Sequence, residues 1–589
     1  MQINREYFIR FTTVVTYAVI GIFTLLTLRL YYMQILKGSD YRDAADSNRV
    51  RVVMLPAPRG TIYDRSGVAL ATNKPYFYAS VMPGTKGLNT KALAALLEMD
   101  EARLQQRLKK EDKAVFNTLV LKEGLSFQDV QRIEARRSDF PGVIVETSLT
   151  RNYVYGSVGS HIIGYLGKPT KAQLQDDYSE DITPDTFVGQ WGVEMLYDKK
   201  LRGIPGKQII EVDALGRQLK VLEYIKPEMG SDITLSIDIE LQSIAEELFN
   251  GRTGALVAIA PNTGEVLALV SLPSFDPNDF VMGIDSDKWA LLNKDKQTPL
   301  LNRAMQSAYP PGSIFKPLVA IAALQEGVLS PEFDLFCDGA LEYGSWSFGC
   351  WKRHGHVALH RALVESCDMY FYEAGKRLGI DRIAKYAKGF GLTQRTNLGI
   401  AGSLEREGVM PSVAWKKKQL GKPWFLGETF ISSIGQGFVS VTPMQAAIMT
   451  SMIANNGIKY PISILKEASP PVALSRLDIS PEHFAEVKRA LYGVVNEPGG
   501  TGSATRSSIV GIAGKTGTAQ VIKGRVKSEH QKEDFRDHAW FIAFAPYENP
   551  TIALAIIVEH GGHGGSAAAP VAKGVIETYI KKNGYTPSL

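Results

Sequence analysis

The longest uninterrupted apolar stretch of the chain lies near its N-terminus. No charged residue occurs from Phe11 to Leu28, and about 18 such residues are close to the minimum that spans a bilayer. Arg5 and Arg10 precede this stretch, which by the positive-inside tendency favours a cytoplasmic N-terminus. A cleaved signal peptide is the alternative, but the stretch is long for one and no small-residue cleavage site follows it promptly. The pattern predicts a cytoplasmic tail over residues 1–10, a transmembrane anchor over residues 11–33 and an external remainder.

The segment after the anchor mixes short strand-like runs with amphipathic stretches. Glycine-punctuated runs from Arg59 to Ala71 are typical of strands joined by tight turns. Residues from about Thr90 to Arg137 have helical spacing, and β alternation resumes from Lys207 to Val212. These patterns predict a mixed α/β first domain over residues 34–232.

A change of pattern near Ile233 marks a second domain. ITLSIDIELQSIAEEL indicates a strand and then a helix, and GALVAIAPNTGEVLALVS indicates two strands around a turn. HAWFIAFAP and TIALAIIVE are apolar runs typical of buried strands, APVAKGVIETYIKK is typical of a closing helix, and helical spacing dominates from Pro317 to about Met452. We expect a sheet flanked by helices over residues 233–589, and hence an α+β fold.

The composition agrees with a largely globular protein of more than one domain. The chain has 589 residues, of which 45% are hydrophobic and 22% charged, and one core seldom organises so long a chain. Its net charge of +5 is not concentrated in any block that resembles a nucleic-acid arm. Nucleic acid is therefore not an expected partner.

Three short motifs of the second domain carry candidate chemistry. They are Ser313-Ile314-Phe315-Lys316, Ser366-Cys367-Asp368 and Lys515-Thr516-Gly517-Thr518. Each motif alone occurs readily by chance, and Ser313 alone could be a simple helix N-cap with Lys316 solvated beside it. Pro317 follows directly, however, and proline is tolerated only in the first turn of a helix. Ser313 is therefore predicted to lie at or beside a helix N-terminus.

That position suits a nucleophile. Residues three apart on a helix share a face, so the Lys316 amine is within reach of the Ser313 hydroxyl. The positive end of a helix favours the negative charge that develops during acyl transfer. Lys316 must be neutral to accept a proton, and Lys515 is a candidate for the second positive charge that lowers its pKa.

Taken together, the motifs and longer blocks resemble the class B penicillin-binding proteins. RGTIYDRSGVALA, GQWGVEMLYDKKLRGIPG, YPPGSIFKP, GIAGKTGTAQ and HAWFIAFAP all look like blocks of that family, whose serine-lysine motif sets are well known. Phe315 before the lysine, and aspartate rather than asparagine at position 368, favour the elongation-type penicillin-binding protein 2 group. The resemblance implies an elongated pedestal domain and a penicillin-recognising transpeptidase domain with a central antiparallel sheet.

The resemblance also implies a role for each motif residue. Ser313 would attack the penultimate D-alanine carbonyl of a stem peptide, with Lys316 as base and Ser366 as proton relay. Lys515, Thr516 and Thr518 would bind the substrate carboxylate, and Gly517 would let substrate lie close to the strand. The backbone amides of Ser313 and Thr518 would form the oxyanion hole. Asp368 can accept but not donate when ionised, which puts a donor role towards substrate in question.

The three cysteines need a separate interpretation. Cys337, Cys350 and Cys367 lie in one stretch with His354, His356 and His360. Three thiolates and one imidazole can form a tetrahedral zinc site, whereas an odd cysteine count is awkward in an oxidising compartment. The resemblance implies a structural zinc site at Cys337, Cys350, His356 and Cys367; a Cys337–Cys350 disulfide with Cys367 buried is the alternative.

The family resemblance further implies location and partners. We expect a single-pass protein of the cytoplasmic membrane with a periplasmic catalytic domain, which acts on peptidoglycan stems without a cofactor for the acyl transfer. A polytopic glycan polymerase of the SEDS family and other elongation proteins are the expected partners, and β-lactams the expected inhibitors. Two rival functions stay open: a β-lactamase or carboxypeptidase that resolves the acyl-enzyme with water, and a non-catalytic scaffold or β-lactam sensor.

Overall fold

The structure is a computed structural model, and it describes residues 5–41, 50–81, 85, 87–109, 119–175, 182, 186–212, 218–521 and 535–584. The α-helices share the ordinary right-handed geometry and range from one turn to about seven. In chain order they are α1 Arg5–Tyr31, α2 Thr90–Leu96, α3 Glu101–Lys109, α4 Phe127–Ala135, α5 Ser160–Ile163, α6 Lys171–Gln175, α7 Gly192–Leu196, α8 Asp198–Arg202, α9 Ile239–Leu248, α10 Ser286–Lys294, α11 Arg303–Gln306, α12 Lys316–Gln325, α13 Leu359–Val364, α14 Asp368–Leu378, α15 Ile380–Gly389, α16 Val413–Leu420, α17 Leu426–Ser433, α18 Pro443–Ala454, α19 Pro481–Asn496, α20 Gly564–Ala567 and α21 Ala569–Asn583.

The strands are short except in the two main sheets. In chain order they are β1 Val50–Leu55, β2 Ile62–Tyr63, β3 Ala69–Val81, β4 Leu119–Leu125, β5 Val143–Tyr153, β6 Leu166–Gly167, β7 Val188–Gly189, β8 Gly206–Val212, β9 Gln218–Ile225, β10 Ile233–Thr234, β11 Gly254–Ile259, β12 Val266–Leu272, β13 Leu335–Cys337, β14 Ala340–Tyr343, β15 Trp346–Gly349, β16 Gly355–Val357, β17 Ile458–Lys459, β18 Ser475–Arg476, β19 Ala513–Ala519, β20 His538–Ala545 and β21 Ile552–Val558.

The chain forms two compact units that do not follow a single cut in the sequence. The first unit consists of residues 1–58, 74–150 and 203–229, and the second of residues 59–73, 151–202 and 230–589. The second unit thus takes up segments that lie well before Ile233 in the chain.

The first unit combines small antiparallel sheets with short helices. β8 pairs with β1 on one side and with β9 on the other, and β4 pairs with the end of β3. Its core is formed by apolar side chains of the strands and of α2, α3 and α4, among them Val81, Leu93, Leu104, Leu121 and Ile133. The helical spacing between Thr90 and Arg137 is confirmed, although β4 lies within the same stretch.

The first helix carries the uncharged stretch from Phe11 to Leu28. α1 continues through a π-helical turn at Tyr32–Leu36, and residues Tyr7–Leu36 are long and apolar enough to cross a membrane. None of this stretch is buried against protein: Tyr17 and Leu25, for example, are 71% and 70% exposed. Exposed apolar side chains along such a helix are unfavourable in water and favourable in lipid. The helix therefore fits a single-pass membrane anchor.

The second unit is built on a five-stranded antiparallel sheet in the order β12-β11-β21-β20-β19. Every residue of β21 is buried, which explains why its sequence is a continuous apolar run and not an alternating one. One face of the sheet packs with α12, α14 and α18 in a large core. The other face packs with α9 and α21 in a second core. The predicted strands and closing helix, and the α+β class, are confirmed.

Two small two-stranded sheets interrupt the predicted helical region of the second unit. β13 pairs with β16, and β14 pairs with β15, both antiparallel. Each strand has only three or four residues, which is too short for a clear alternation of apolar and polar positions.

A buried ion-pair cluster lies elsewhere in the second unit. The Glu194 carboxylate accepts hydrogen bonds from Arg59 Nε at 2.8 Å and from Arg151 Nε at 2.7 Å. Arg59 also contacts Asp198 at 2.7 Å. Burial alone would raise the pKa of Glu194, but the charges of Arg59 and Arg151 outweigh it and hold that pKa below its usual value. The glutamate is therefore ionised, and it links segments that are 135 and 43 residues apart in the chain.

Candidate active site

Ser313 lies in a 3-10 turn, Gly312–Phe315, that runs directly into α12. Pro317 occupies the first turn of α12, so Ser313 lies beside a helix N-terminus as predicted. Gly312 has a φ of +57°, and a Cβ there would lie 2.4 Å from the carbonyl oxygen of Thr518. Its amide donates to the carbonyl oxygen of Gly435 at 2.8 Å. Glycine at this position therefore lets the serine turn pack directly against β19.

The amine of Lys316 is fully buried at the start of α12. It donates to Asp368 Oδ1 at 2.7 Å, to the Ser366 carbonyl oxygen at 2.9 Å and to Ser366 Oγ at 3.1 Å. The ring of Phe371 lies below it, with its centroid 5.4 Å from Nζ. The amine is thus held by the second motif, and Asp368 supplies the opposite charge.

Lys515 is also fully buried, at the middle of β19. Its Nζ lies 2.9 Å from Ser366 Oγ and 3.0 Å from the Thr516 carbonyl oxygen. Burial holds the pKa of Lys515 well below its usual value; the charge of Lys316 lowers it further, and Asp368 opposes both. The sequence suggested Lys515 as a source of positive charge, whereas its surroundings favour the neutral amine because a buried charge is poorly solvated.

Ser366 connects the two amines. It lies in the connection between α13 and α14 with a φ of +57°, an uncommon conformation for serine. Its hydroxyl lies within hydrogen-bond distance of both Lys316 and Lys515, which are 50 and 149 residues away in the chain. The structure therefore brings together the three motifs that the sequence singled out.

The remaining residues of the third motif form the wall beside the serine turn. The hydroxyl of Thr516 contacts the hydroxyl of Thr501 at 2.7 Å. A Cβ on Gly517 would lie 2.9 Å from Ile314 Cγ2, so the strand and the turn need glycine here to meet. The carbonyl oxygen of Thr518 accepts from Gln436 Nε2 at 2.9 Å. Thr501 was not expected from the sequence, because a single threonine in a glycine-rich loop carries no recognisable signal.

A second cluster lies directly behind the Ser366 motif. Cys337, Cys350, His354 and Cys367 are all buried, and their potential ligand atoms lie within 4.8 Å of one another. Nδ1 of His354 is 3.5 Å from the sulfurs of Cys337 and Cys350, and the sulfurs of Cys350 and Cys367 are 4.0 Å apart. All three cysteines are free thiols, so the alternative disulfide is not formed.

The fourth member of this cluster is His354 and not His356, which corrects the expectation from the sequence. His356 pairs with Phe336 across β16 and β13, and its side chain is 74% exposed. Its Nδ1 lies 2.5 Å from Asp334 Oδ2. Because side chains alternate between the two faces of a strand, the register that turns Cys337 inwards turns Phe336 and His356 outwards.

The cysteine cluster is linked to the motif residues through the backbone. The amide of Asp368 donates to the sulfur of Cys350 at 3.2 Å. A hydrogen bond joins the sulfurs of Cys350 and Cys367. It lowers the pKa of Cys350 and raises the pKa of Cys367, because it favours the thiolate at Cys350 and the thiol at Cys367. Nε2 of His354 lies 3.3 Å from the Glu365 carbonyl oxygen. The cluster thus fixes the residues on both sides of Ser366.

Comparison with known proteins agrees with this fold and site. The model of the penicillin binding protein transpeptidase domain matches residues 254–577, and that of the penicillin-binding protein dimerisation domain matches residues 54–235. Peptidoglycan D,D-transpeptidase MrdA of Acinetobacter baumannii is 36% identical over 96% of this chain and 87% of its own. The structure of penicillin-binding protein 2 of Helicobacter pylori in complex with MreC superposes with a TM-score of 0.80, at 29% identity over 91% of this chain and 99% of that one. A peptidoglycan synthase complex that coordinates polymerization and crosslinking superposes with a TM-score of 0.73, at 30% identity over 98% of this chain and 99% of that one.

The fold and the site define a serine-type transpeptidase, and the chain belongs to the penicillin-binding proteins. Within that family its similarity over nearly the full length is to the penicillin-binding protein 2 group of peptidoglycan D,D-transpeptidases. The resemblance drawn from the sequence is confirmed.

Proposed function

We propose that the chain cross-links peptidoglycan during cell elongation, with Ser313 as the nucleophile. Ser313 attacks the penultimate D-alanine carbonyl of one stem peptide and expels the terminal D-alanine, and an amine of a neighbouring stem then takes up the acyl group. The observation that carries the proposal is the convergence of Lys316 and Lys515 on the hydroxyl of Ser366, at 3.1 and 2.9 Å, beside the turn that holds Ser313.

The arrangement of these side chains supports a route for each proton transfer. Lys316 rests beside the Asp368 carboxylate, so it first passes its proton through the Ser366 hydroxyl to the neutral amine of Lys515. The free amine of Lys316 then accepts the Ser313 proton as the new C–O bond forms. Ser366 then receives a proton from Lys316 and gives its own proton to the nitrogen of the departing D-alanine. The proton lost by Ser313 therefore leaves with D-alanine. Lys515 donates to the Ser366 hydroxyl at rest, and because its pKa is lowered by burial it has a free lone pair for the proton that Lys316 gives up. Asp368 holds the Lys316 side chain between these steps.

The third motif binds the substrate. The hydroxyls of Thr516 and Thr518, with Lys515 in its protonated form, are proposed to hold the terminal carboxylate, and Gly517 lets β19 lie directly against the serine turn. The backbone amides of Ser313 and Thr518 are proposed to stabilise the oxyanion. The contact of Thr516 with Thr501 supports this role, because it orients the Thr516 hydroxyl.

The domain organisation and location are part of the proposal. Residues 34–232 are proposed as the pedestal and residues 233–589 as the transpeptidase domain, with α1 in the cytoplasmic membrane, the N-terminus in the cytoplasm and the catalytic domain in the periplasm. The relatives in complex with MreC and in a peptidoglycan synthase complex support a polytopic glycan polymerase of the SEDS family, and other elongation proteins, as partners. β-Lactams are the proposed inhibitors.

The cysteine cluster is proposed to hold a structural zinc ion. A tetrahedral zinc with Zn–S bonds of about 2.3 Å places its sulfur ligands roughly 3.8 Å apart, and the 4.0 Å between the Cys350 and Cys367 sulfurs fits this spacing. The hydrogen bond from His354 Nε2 to the Glu365 carbonyl fits the usual orientation of a histidine ligand that binds through Nδ1. The ion would be held by Cys337, Cys350, His354 and Cys367, where it would fix the Ser366 connection and take no part in the acyl transfer.

Mass spectrometry of the full chain after incubation with a penicillin tests the proposal. We expect one adduct on Ser313 that persists for hours, and no adduct in Ser313→Ala. Release within seconds would instead indicate a hydrolase. Cross-linking of glycan by Ser313→Ala, or an adduct on another residue, would contradict the catalytic role of Ser313.

A further inference from the structure

An exposed surface of the second unit combines aromatic rings with lysines. It is formed by α16, α17 and the loops that follow each of them, and we call it the aromatic-lysine patch. Its members are Trp415, Lys417, Lys418, Trp424, Phe425 and Phe438. Phe425 is 60% exposed and Phe438 38% exposed, and both lysines are exposed. Exposed aromatic clusters of this kind mark binding surfaces more often than chance exposure does.

The rings of the patch are held in place by contacts beneath them. Trp424 Nε1 donates to Thr429 Oγ1 at 2.8 Å, and the rings of Trp415 and Phe438 pack with their centroids 5.4 Å apart. Lys416 is buried, pairs with Glu428 and places its ammonium 4.8 Å from the centre of the Phe425 ring. The patch is therefore preorganised, and a ligand that binds here orders little further surface.

The charge of the patch comes from its exposed lysines. The buried Lys416 is neutralised by Glu428. Within the part of the chain that the structure describes, no carboxylate pairs with Lys417 or Lys418. The outer surface thus offers exposed ammonium groups on the helix that also carries Trp415.

The patch is continuous with the wall of the active site. The segment between α17 and α18 contains Gly435, whose carbonyl oxygen accepts from Gly312, and Gln436, which donates to Thr518. Phe438 follows two residues after Gln436, which corresponds to at most about 7 Å of chain. A five-residue stem peptide spans at most about 17 Å when extended. The sugar chain that carries a stem bound at Ser313 is therefore within reach of the patch.

The chemistry of the patch favours a saccharide over a protein. The π faces of aromatic rings are electron-rich and attract the partly positive C–H faces of sugar rings. Lysine is depleted in the cores of protein interfaces, whereas here two exposed lysines follow Trp415 on the same helix. Free ammonium groups also complement the carboxylates of the stem peptides attached to the sugar chain.

We propose that the aromatic-lysine patch binds the glycan strand whose stem peptide enters the active site. The proposal rests on the proposed function, because it takes the donor strand as the ligand. The aromatic rings hold the sugars, and Lys417 and Lys418 hold the stem carboxylates. Binding here presents the stem to Ser313 without any contact to the reacting atoms.

Fluorescence anisotropy with two labelled probes tests this on the full chain in detergent micelles. One probe is an uncross-linked glycan chain that carries stems, and the other is the same chain with the stems removed by an amidase. Phe425→Ala with Phe438→Ala should weaken binding of both probes by at least about tenfold. Lys417→Ala with Lys418→Ala should weaken binding of the stem-bearing probe by a larger factor than binding of the stem-free one. The matched control is Trp289→Ala with Lys581→Ala, an exposed ring and an exposed lysine elsewhere on the second unit, and it should change binding by less than twofold.

The rate of penicillin acylation tests the proposed function independently of the patch proposal. All patch variants should acylate at the wild-type rate within about twofold, since no patch residue touches the site. Failure of the wild-type chain to acylate at Ser313 would overturn the proposed function but leaves the binding measurement intact. Unchanged binding of both glycan probes in the aromatic variant would overturn the patch proposal.

Discussion

The amine of Lys515 lies 2.9 Å from the hydroxyl of Ser366, although 149 residues separate them in the chain. The same hydroxyl lies 3.1 Å from the amine of Lys316, which Asp368 neutralises. Lys515 lacks such a carboxylate partner in the described part of the chain, and it is completely buried. One site therefore holds two amines in different electrostatic surroundings: Lys316 with a compensating charge, and Lys515 in surroundings that favour its neutral form.

This difference predicts that Lys515 lowers the stability of the fold. Lys515→Met should raise the free energy of unfolding at pH 7, because a methionine of similar shape has no amine whose charge must be removed on burial, and it should abolish penicillin acylation. Thermal unfolding and acylation rates measure the two effects. Lys316→Met is the matched comparison: it should destabilise the fold, since it leaves Asp368 without its partner.

The effect of Lys515 should depend on pH. Its pKa is lower in the folded chain than the usual value of 10.5, so the folded state binds fewer protons than the unfolded state between these two pKa values. Wild-type stability should therefore rise with pH across that interval, and the advantage of Lys515→Met should shrink towards pH 10.5. An advantage that stays constant from pH 7 to pH 10 would contradict a lowered pKa for Lys515.

Gly312 and Gly344 provide a matched test of the serine turn. Both have positive φ values, +57° and +61°, so alanine should cost about 1 kcal/mol of conformational energy at either position. Only at Gly312 would the added Cβ collide with the Thr518 carbonyl, whereas nothing lies within 4 Å at Gly344. Gly312→Ala should slow penicillin acylation by about 100-fold or more because it displaces Ser313 from β19. Gly344→Ala should acylate normally, and equal rates in the two variants would contradict the role of this contact.

Much of the fold could be predicted because the second unit buries its strands on both faces. The continuous apolar runs of β20 and β21 and the turn between β11 and β12 are local features of the sequence. The proline after Lys316 likewise fixed the helix start that positions Ser313. Short strands such as β13 and β16 could not be predicted, since three residues show no period.

The electrostatics of the site depend on contacts that are distant in the chain. The burial of Lys515 follows from the packing of β19 against the serine turn and the Ser366 connection, and no local pattern around Lys515 reveals it. Which of the two histidines, His354 or His356, faces the cysteines depends on the register of β13 against β16. The sequence motifs therefore predicted that the three motifs lie together. They predicted neither the protonation state of Lys515 nor which histidine joins the cysteine cluster.

The two histidines can be distinguished by metal content. Chain purified without chelators should contain about one zinc ion, and His354→Ala should lose most of it because a ligand of a closed tetrahedral site is removed. His356→Ala should keep its zinc, since that side chain is 74% exposed and pairs with Asp334. Elemental analysis by mass spectrometry measures both variants, with far-UV circular dichroism as a check that each is folded. Zinc lost from His356→Ala but kept in His354→Ala would contradict the register of β13 and β16, and wild-type chain without zinc would contradict the metal site.

The ion-pair cluster at Glu194 should stabilise the second unit far more than a surface pair does. Glu194→Ala leaves the guanidinium groups of Arg59 and Arg151 buried without their shared carboxylate, which should cost about 3–5 kcal/mol. Glu373→Ala removes a partly exposed pair with Arg377 and should cost less than about 1 kcal/mol. The unfolding temperature of the full chain measures both effects. Equal decreases in the two variants would contradict the expectation that the buried cluster at Glu194 stabilises the fold more than a surface pair.

Acid should remove the contribution of Glu194. Its pKa is lower in the folded chain than the usual value of 4.5, so the stabilisation is fully present above pH 4.5 and is lost as the pH falls through the folded value. Glu194→Gln imitates the protonated side chain. The stability difference between wild type and Glu194→Gln should therefore be largest near neutral pH and should narrow below about pH 4. A difference that widens in acid would mean that Glu194 is protonated in the native chain, and the two arginines would then need another counter-charge.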